Sequence, residues 1–139
     1  MTSAVELVKK WEGCRLKSYR DSGGKNTIGY GHTSGVTDGL EWTQAQADDA
    51  LAQDLKIAEA AVLKHITVLG LKPNQLAALT SFVFNLGETQ FRTSTLLKEV
   101  NQGNDIGAAL QIIKWHNDNG KPVKGLLRRR LDEASLYLS

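Results

Sequence analysis

A single cysteine, Cys14, leaves the chain without an internal disulfide and excludes a cysteine-rich zinc site. No apolar run approaches the roughly 18 residues that a membrane-spanning helix needs. No basic-then-apolar leader opens the sequence, so nothing in it reads as a secretory signal. Charge of one sign is also scarce. Seventeen basic and 15 acidic residues give a net charge of +2, too mild to demand a polyanionic partner. No Pro- or Ser-rich linker, internal repeat or low-complexity segment divides the 139 residues. That length suits one compact unit at roughly 150 residues per domain. The apolar fraction of 41% and charged fraction of 23% exclude a disordered or collagen-like chain.

Several site signatures are missing as well. Gly23-Gly24-Lys25 is followed by Asn26 and lacks the upstream glycine, so it is not a phosphate loop. Gly29-Tyr30-Gly31 lacks the third glycine of a dinucleotide fingerprint. His32, His65 and His116 are scattered, with no HExxH, so neither a metal nor a cofactor is expected.

What is present is unevenly placed. Seven of the 13 glycines fall between Gly13 and Gly39. Residues 1–70 carry 8 basic and 9 acidic groups, a net −1, while 71–139 carry 9 and 6, a net +3. From Lys114 to Arg130, six basic residues face Asp118 alone.

The pattern predicts mostly helix. Ser3-Ala4-Val5-Glu6 matches a capping box, and Leu7, Val8 and Trp11 continue a helix over about 3–12. Tyr19, Thr27, Ile28 and Tyr30 favour strands around the turn Asp21-Ser22-Gly23-Gly24, so a hairpin or a three-stranded sheet is expected. Thr43-Gln44-Ala45-Gln46 opens a long helix over about 43–64. Pro73 suits the first turn of a buried helix that stops at Gly87. Further helices are expected at about 94–102, 105–117 and 125–137, with a loop over 117–125. A short antiparallel sheet apart from many helices is the α+β class.

Two acidic residues flank the first strand. Glu12 closes the first helix beside Trp11, Gly13 and Cys14, where partly apolar surroundings would favour a retained proton. Asp21 lies in a wet turn and should stay ionised. Two carboxyls in unlike environments suit glycoside hydrolysis, although a helix-end residue and a turn former would look the same.

The run from Glu12 to Thr33 resembles the phage-type lysozyme (endolysin) family, glycoside hydrolase family 24, whose signature is Glu, eight residues, Asp, five residues, Thr. Here these are Glu12, Asp21 and Thr27, followed by Thr-Ile-Gly-x-Gly-His. The segments Ala78–Gly87, Phe91 with Ser94–Leu97, Trp115, and Gly125–Arg130 with Glu133 resemble the family's later blocks in the same order.

The resemblance implies a single two-lobe catalytic domain over 1–139. A small β lobe would cover about 13–42, a linking helix about 43–64, and a helical lobe about 65–139 together with the helix at 3–12. It implies cleavage of the β-1,4 bond between N-acetylmuramic acid and N-acetylglucosamine in peptidoglycan. Glu12 would be the acid, and Asp21 with Thr27 would activate water. Inversion would require the two carboxyls to stand roughly 6.5–9.5 Å apart. Gly31, His32 and Asn85 become candidates for the substrate site, with His32 expected to bond mainly within the fold. Arg129 joins them through a pairing with Glu12. At least two of Arg128, Arg129 and Arg130 are expected on a solvated helix face.

The implied partner is the peptidoglycan glycan strand, with no nucleic acid, no membrane insertion and a monomeric state. The expected site before lysis is the host cytoplasm, with passage through a holin-type pore. A lytic transglycosylase and a wall-docking module without catalysis are the alternative readings. A nucleic-acid-binding helical domain is a third, but it leaves the Glu-Asp-Thr spacing unexplained.

Overall fold

The computed structural model describes residues 4–118 and 120–139. Ser3, the expected first cap, lies outside the described residues. Helix α1 spans Ala4–Glu12 and presents Leu7 and Val8 inward. Strands β1 (Arg15–Arg20) and β2 (Asn26–Gly29) form an antiparallel hairpin, Tyr19 opposite Thr27, with an irregular register between Arg15 and Tyr19. Of the two expected forms the structure has the hairpin; where a third strand would lie there is a bridge between Lys17 and Glu41. Two backbone bonds flank it, Ser18 N–H to Leu40 O and Trp42 N–H to Leu16 O, each 2.8–2.9 Å.

Helix α2 spans Gln44–His65 and opens with the capping box read from the sequence. Thr43 Oγ1 accepts from the Gln46 N–H at 3.2 Å, and Gln46 Oε1 accepts from the Thr43 N–H at 2.8 Å. Helix α3 (Pro73–Leu86) starts at its proline and stops at Gly87, whose φ of 94° only glycine adopts without strain.

Four more helices complete the chain: α4 (Glu88–Arg92), α5 (Thr95–Asn101), α6 (Asp105–Ile113) and α7 (Lys124–Leu138). The sequence pattern does not separate α4 from the loop after Gly87. Helix α6 is four residues shorter than expected. After Lys114 the chain turns into a second hairpin, β3 (Asn117–Asp118) with β4 (Lys121–Pro122), inside the segment expected to be a loop. The Val123 N–H to His116 O bond at 2.9 Å extends that ladder, so the backbone groups freed from the helix stay satisfied.

Two apolar clusters hold these elements together, and α2 contributes to both. Ala47, Leu51 and Leu55 pack with Val8 and Tyr30 near the β unit. One to two turns later, Ala58 and Val62 enter the larger cluster with Leu7, Leu79, Phe82, Phe91, Leu96, Ile112 and Tyr137. Helix α1 is shared in the same way, Val8 going to one cluster and Leu7 to the other. Phe84 at the end of α3 touches both. Among the described residues, no helix is long and apolar enough to cross a membrane.

Candidate active site

Glu12 is the last residue of α1, and its side chain keeps only 22% of its surface exposed. Its Oε2 accepts from Arg129 Nη1 at 2.6 Å. Its Oε1 lies on the other side, where a Cβ added at Gly31 would come within 3.0 Å of it. The partly apolar surroundings expected for this carboxyl include a charged partner. One oxygen meets a guanidinium and the other meets bare backbone. Gly31 has φ 78°, so the position suits glycine twice, by conformation and by space. Gly29 is also closely approached, but by protein. A Cβ there would meet the Trp42 ring at 3.1 Å, which accounts for that glycine without a ligand.

Asp21 sits in the opposite kind of environment. It is exposed, and Oδ1 accepts from the Gly23 and Lys25 N–H groups, both at 2.9 Å. The backbone closes the same turn through Gly24 N–H to Asp21 O and Asp21 N–H to Lys25 O. An aspartate that caps its own turn in this way needs no side-chain partner to be oriented. Thr27 is buried at 3% exposure and donates its hydroxyl proton to Lys25 O at 2.9 Å. Asp21 and Thr27 thus both bind the backbone of Lys25, one through its N–H and the other through its carbonyl.

His32 is held within the fold. Nδ1 is 2.7 Å from Asp54 Oδ2, Nε2 is 2.9 Å from Ser34 O, and the ring lies 5.4 Å from Trp42. Asn85 Oδ1 accepts from Arg130 Nη2 at 2.6 Å, so that oxygen is already engaged by the protein.

Of the three arginines, Arg129 contacts Glu12. Only Arg128 is on the solvated face, because Arg129 and Arg130 are 4% and 0% exposed. The sequence reading missed why. Positions 129, 130 and 133 share the face of α7 turned towards α3, and the wholly buried Glu133 stands between the two guanidiniums. The available signal was the Arg-to-Glu spacing of three and four residues on one helix.

A groove of about 290 Å³ is lined by Gly31 to Ser34, by Asp54, Ile57 and Ala61 of α2, and by Val83 and Phe84 of α3. Glu12 is not in that lining, but Gly31, whose missing Cβ faces Glu12 Oε1, is. A larger cavity of about 460 Å³, lined by Lys10, Asn74, Asp132 and Ser139, contains none of the residues singled out above. The groove is the better candidate because it is lined by Gly31 and His32, and Gly31 packs beside the Glu12 carboxyl. Among the described residues, no group of three or more His, Cys, Asp or Glu side chains could hold a metal ion.

Comparison with known proteins places the chain by family and fold. The phage lysozyme family model matches residues 9–133, from α1 to Glu133. The chain belongs to the phage lysozyme family. An endolysin of Acyrthosiphon pisum secondary endosymbiont phage 1 is 43% identical over 137 residues, covering 96% of this chain and 93% of that protein. A SAR-endolysin of Bacteriophage PS119 is 39% identical over 91% of this chain and 76% of that protein. Among solved structures, the muramidase domain of SpmX from Asticaccaulis excentricus superposes with a TM-score of 0.91 at 37% identity. It covers 98% of this chain and 95% of that domain. The chain has the family's fold, mostly helical with a small antiparallel sheet.

Proposed function

We propose that this member of the phage lysozyme family is a muramidase. It would hydrolyse the β-1,4 bond between N-acetylmuramic acid and N-acetylglucosamine in peptidoglycan and so lyse the host cell. Glu12 is the general acid. Asp21, with Thr27, orients a water for attack on the far face of the sugar, which inverts the anomeric centre. The observation that carries the reading is the division of labour in the Glu12 carboxyl. Arg129 holds Oε2, which leaves Oε1, beside the groove-lining Gly31, as the oxygen to deliver a proton.

Asp21 complements it, being exposed, fixed by two backbone N–H groups and open to water. Asn85 can still offer its amide nitrogen to an N-acetyl or hydroxyl oxygen. His32 shapes the groove wall and spends its ring nitrogens within the fold. Arg129 serves the site through Glu12 and not by touching glycan.

The test is release of reducing ends from purified peptidoglycan, compared with Glu12→Gln. Wild type should release them, and the variant should lose about 10²–10⁴-fold, the usual worth of a positioned acid. No release by the wild type defeats the hydrolase reading; glycan left uncut then favours a wall-docking module, and anhydro ends favour a transglycosylase. Product anomers read by NMR separate hydrolysis with inversion from a transglycosylase, which forms an anhydro sugar with no new reducing end.

The place of action is the cell wall. The route there is either a holin-type pore from the host cytoplasm or the signal-anchor-release export suggested by the names of several relatives. Fractionation of expressing cells before lysis distinguishes the two.

A further inference from the structure

The groups that would meet glycan account for only one side of Glu12. Behind Arg129 stands a second carboxyl, Glu133, with no exposed surface and no part in the proposed reaction. Its Oε2 accepts from Ser81 Oγ of α3 at 2.6 Å and faces Arg129 Nε at 3.5 Å. Its Oε1 faces Arg130 Nε at 2.9 Å, and Arg130 reaches on through Nη2 to Asn85 Oδ1 at 2.6 Å. Arg129 therefore lies between two carboxylates, hydrogen-bonded to Glu12 through Nη1 and in charge contact with Glu133 through Nε without a hydrogen bond.

A guanidinium is a rigid plane, so fixing one edge fixes the direction of the other. The setting is electrostatically demanding. Burial pushes Glu133 above the usual carboxylate range and pulls Arg130 below the usual arginine range, with each opposing the shift of the other. Packed apolar residues would fill such a site with less desolvation. What the ions add is direction.

We propose that Glu133 is a positioning residue for the catalytic acid. Braced by Ser81 and Arg130, it holds the plane of Arg129 so that Glu12 keeps Oε2 engaged and Oε1 at the groove. The proposal rests on Glu12 being the acid. It predicts a loss in the chemical step and none in glycan binding, because Glu133 has no route to the substrate.

The experiment is a kinetic double-mutant cycle on soluble peptidoglycan fragments, with circular dichroism to confirm folding. Glu133→Gln keeps the shape and the Ser81 contact but removes the charge. Its kcat should fall about 10-fold, a modest part of the roughly 10²-fold that a misplaced catalytic group can cost. Its KM should stay within about twofold of wild type, since only the transition state is affected. In an Arg129→Gln background the same substitution should cost nothing further, because its effect runs through Arg129.

A folded Glu133→Gln protein with wild-type kcat overturns the proposal. So do losses that multiply in the double variant, or a rise in KM that accounts for the whole effect. If Glu133→Gln does not fold, Ser81→Ala takes its place. It should lower kcat about threefold at constant KM, scaled to the loss of one hydrogen bond, and lose that effect without Arg129. Unchanged kcat in Ser81→Ala then overturns the proposal. Failure of the parent assignment looks different: Glu12→Gln itself would retain activity, with Glu133 untouched.

Discussion

The two carboxyls of the candidate site are held by opposite means. Asp21 stands in water, and its own turn supplies two backbone N–H donors. Glu12 stands at the edge of a dry assembly of side chains from α3 and α7, held by Arg129, which leans in turn on Glu133. The first arrangement costs little desolvation and requires only a tight local turn. The second needs buried charges from distant parts of the chain to cancel. A carboxyl that must act as a base can be left wet. One that must deliver a proton needs its two oxygens distinguished, and a fixed neighbour does that.

The contrast breaks most sharply under charge deletion. Arg130→Ala strips Glu133 of its nearest buried counter-ion, which should cost about 3–5 kcal/mol of stability, measured by urea denaturation. Asp21→Ala removes two exposed acceptor contacts whose donors can turn to water, which should cost about 1 kcal/mol or less. Activity should follow the reverse order for Asp21. The folded variant should lose about 10²-fold or more in kcat, because the carboxylate proposed to activate water is gone. Equal stability losses in the two variants would mean that the dry side is not held by its charges.

This division also explains what could be read from the sequence. The wet side is local. Asp21-Ser22-Gly23-Gly24 announces its turn, and Thr43 to Gln46 announces the cap of α2. Both rest on contacts within four residues, and the structure shows both. The dry side is not local. An Arg-Arg-Arg run on a helix reads as solvated until α3 is known to lie against it with Ser81 facing Glu133. The pairing of Glu12 with Arg129, 117 residues away, leaves no local signal and was legible only through the family resemblance. Helix α6 was drawn too long because apolar spacing continues through Ile112, Ile113 and Trp115. Trp115 reaches the core after the helix has ended, its ring edge-on to Phe82 at 5.8 Å.

The helical side should also be the one that fails in alkali. Tyr137 is 2% exposed, and its hydroxyl is pushed up to about 12, mainly by burial and further by Asp105. In the unfolded chain a tyrosine ionises near 10. The unfolded state therefore releases its proton first, and stability falls as pH rises from about 10 to 12. At about 1.4 kcal/mol per unit the loss reaches roughly 2–3 kcal/mol. Denaturation midpoints at a series of pH values check this. In Tyr137→Phe the decline over that window should shrink by the same amount, and an unchanged decline would clear Tyr137 of responsibility.

The smallest effect sharpens the boundary between the two sides, because Gly31 stands on it. Gly31 and Gly24 have nearly the same backbone conformation, with φ 78° and 80°, so alanine at either should cost about 1–2 kcal/mol in left-handed strain. They differ in what the new methyl meets. At Gly24 there is nothing within 4 Å, whereas at Gly31 it meets Glu12 Oε1 at 3.0 Å. The two variants should therefore melt at similar temperatures, yet only Gly31→Ala should lower kcat per folded molecule, because it displaces the one oxygen that Arg129 leaves free. Equal kcat in the two variants would mean that Glu12 can yield without penalty. The proton would then not need Oε1 where this structure puts it.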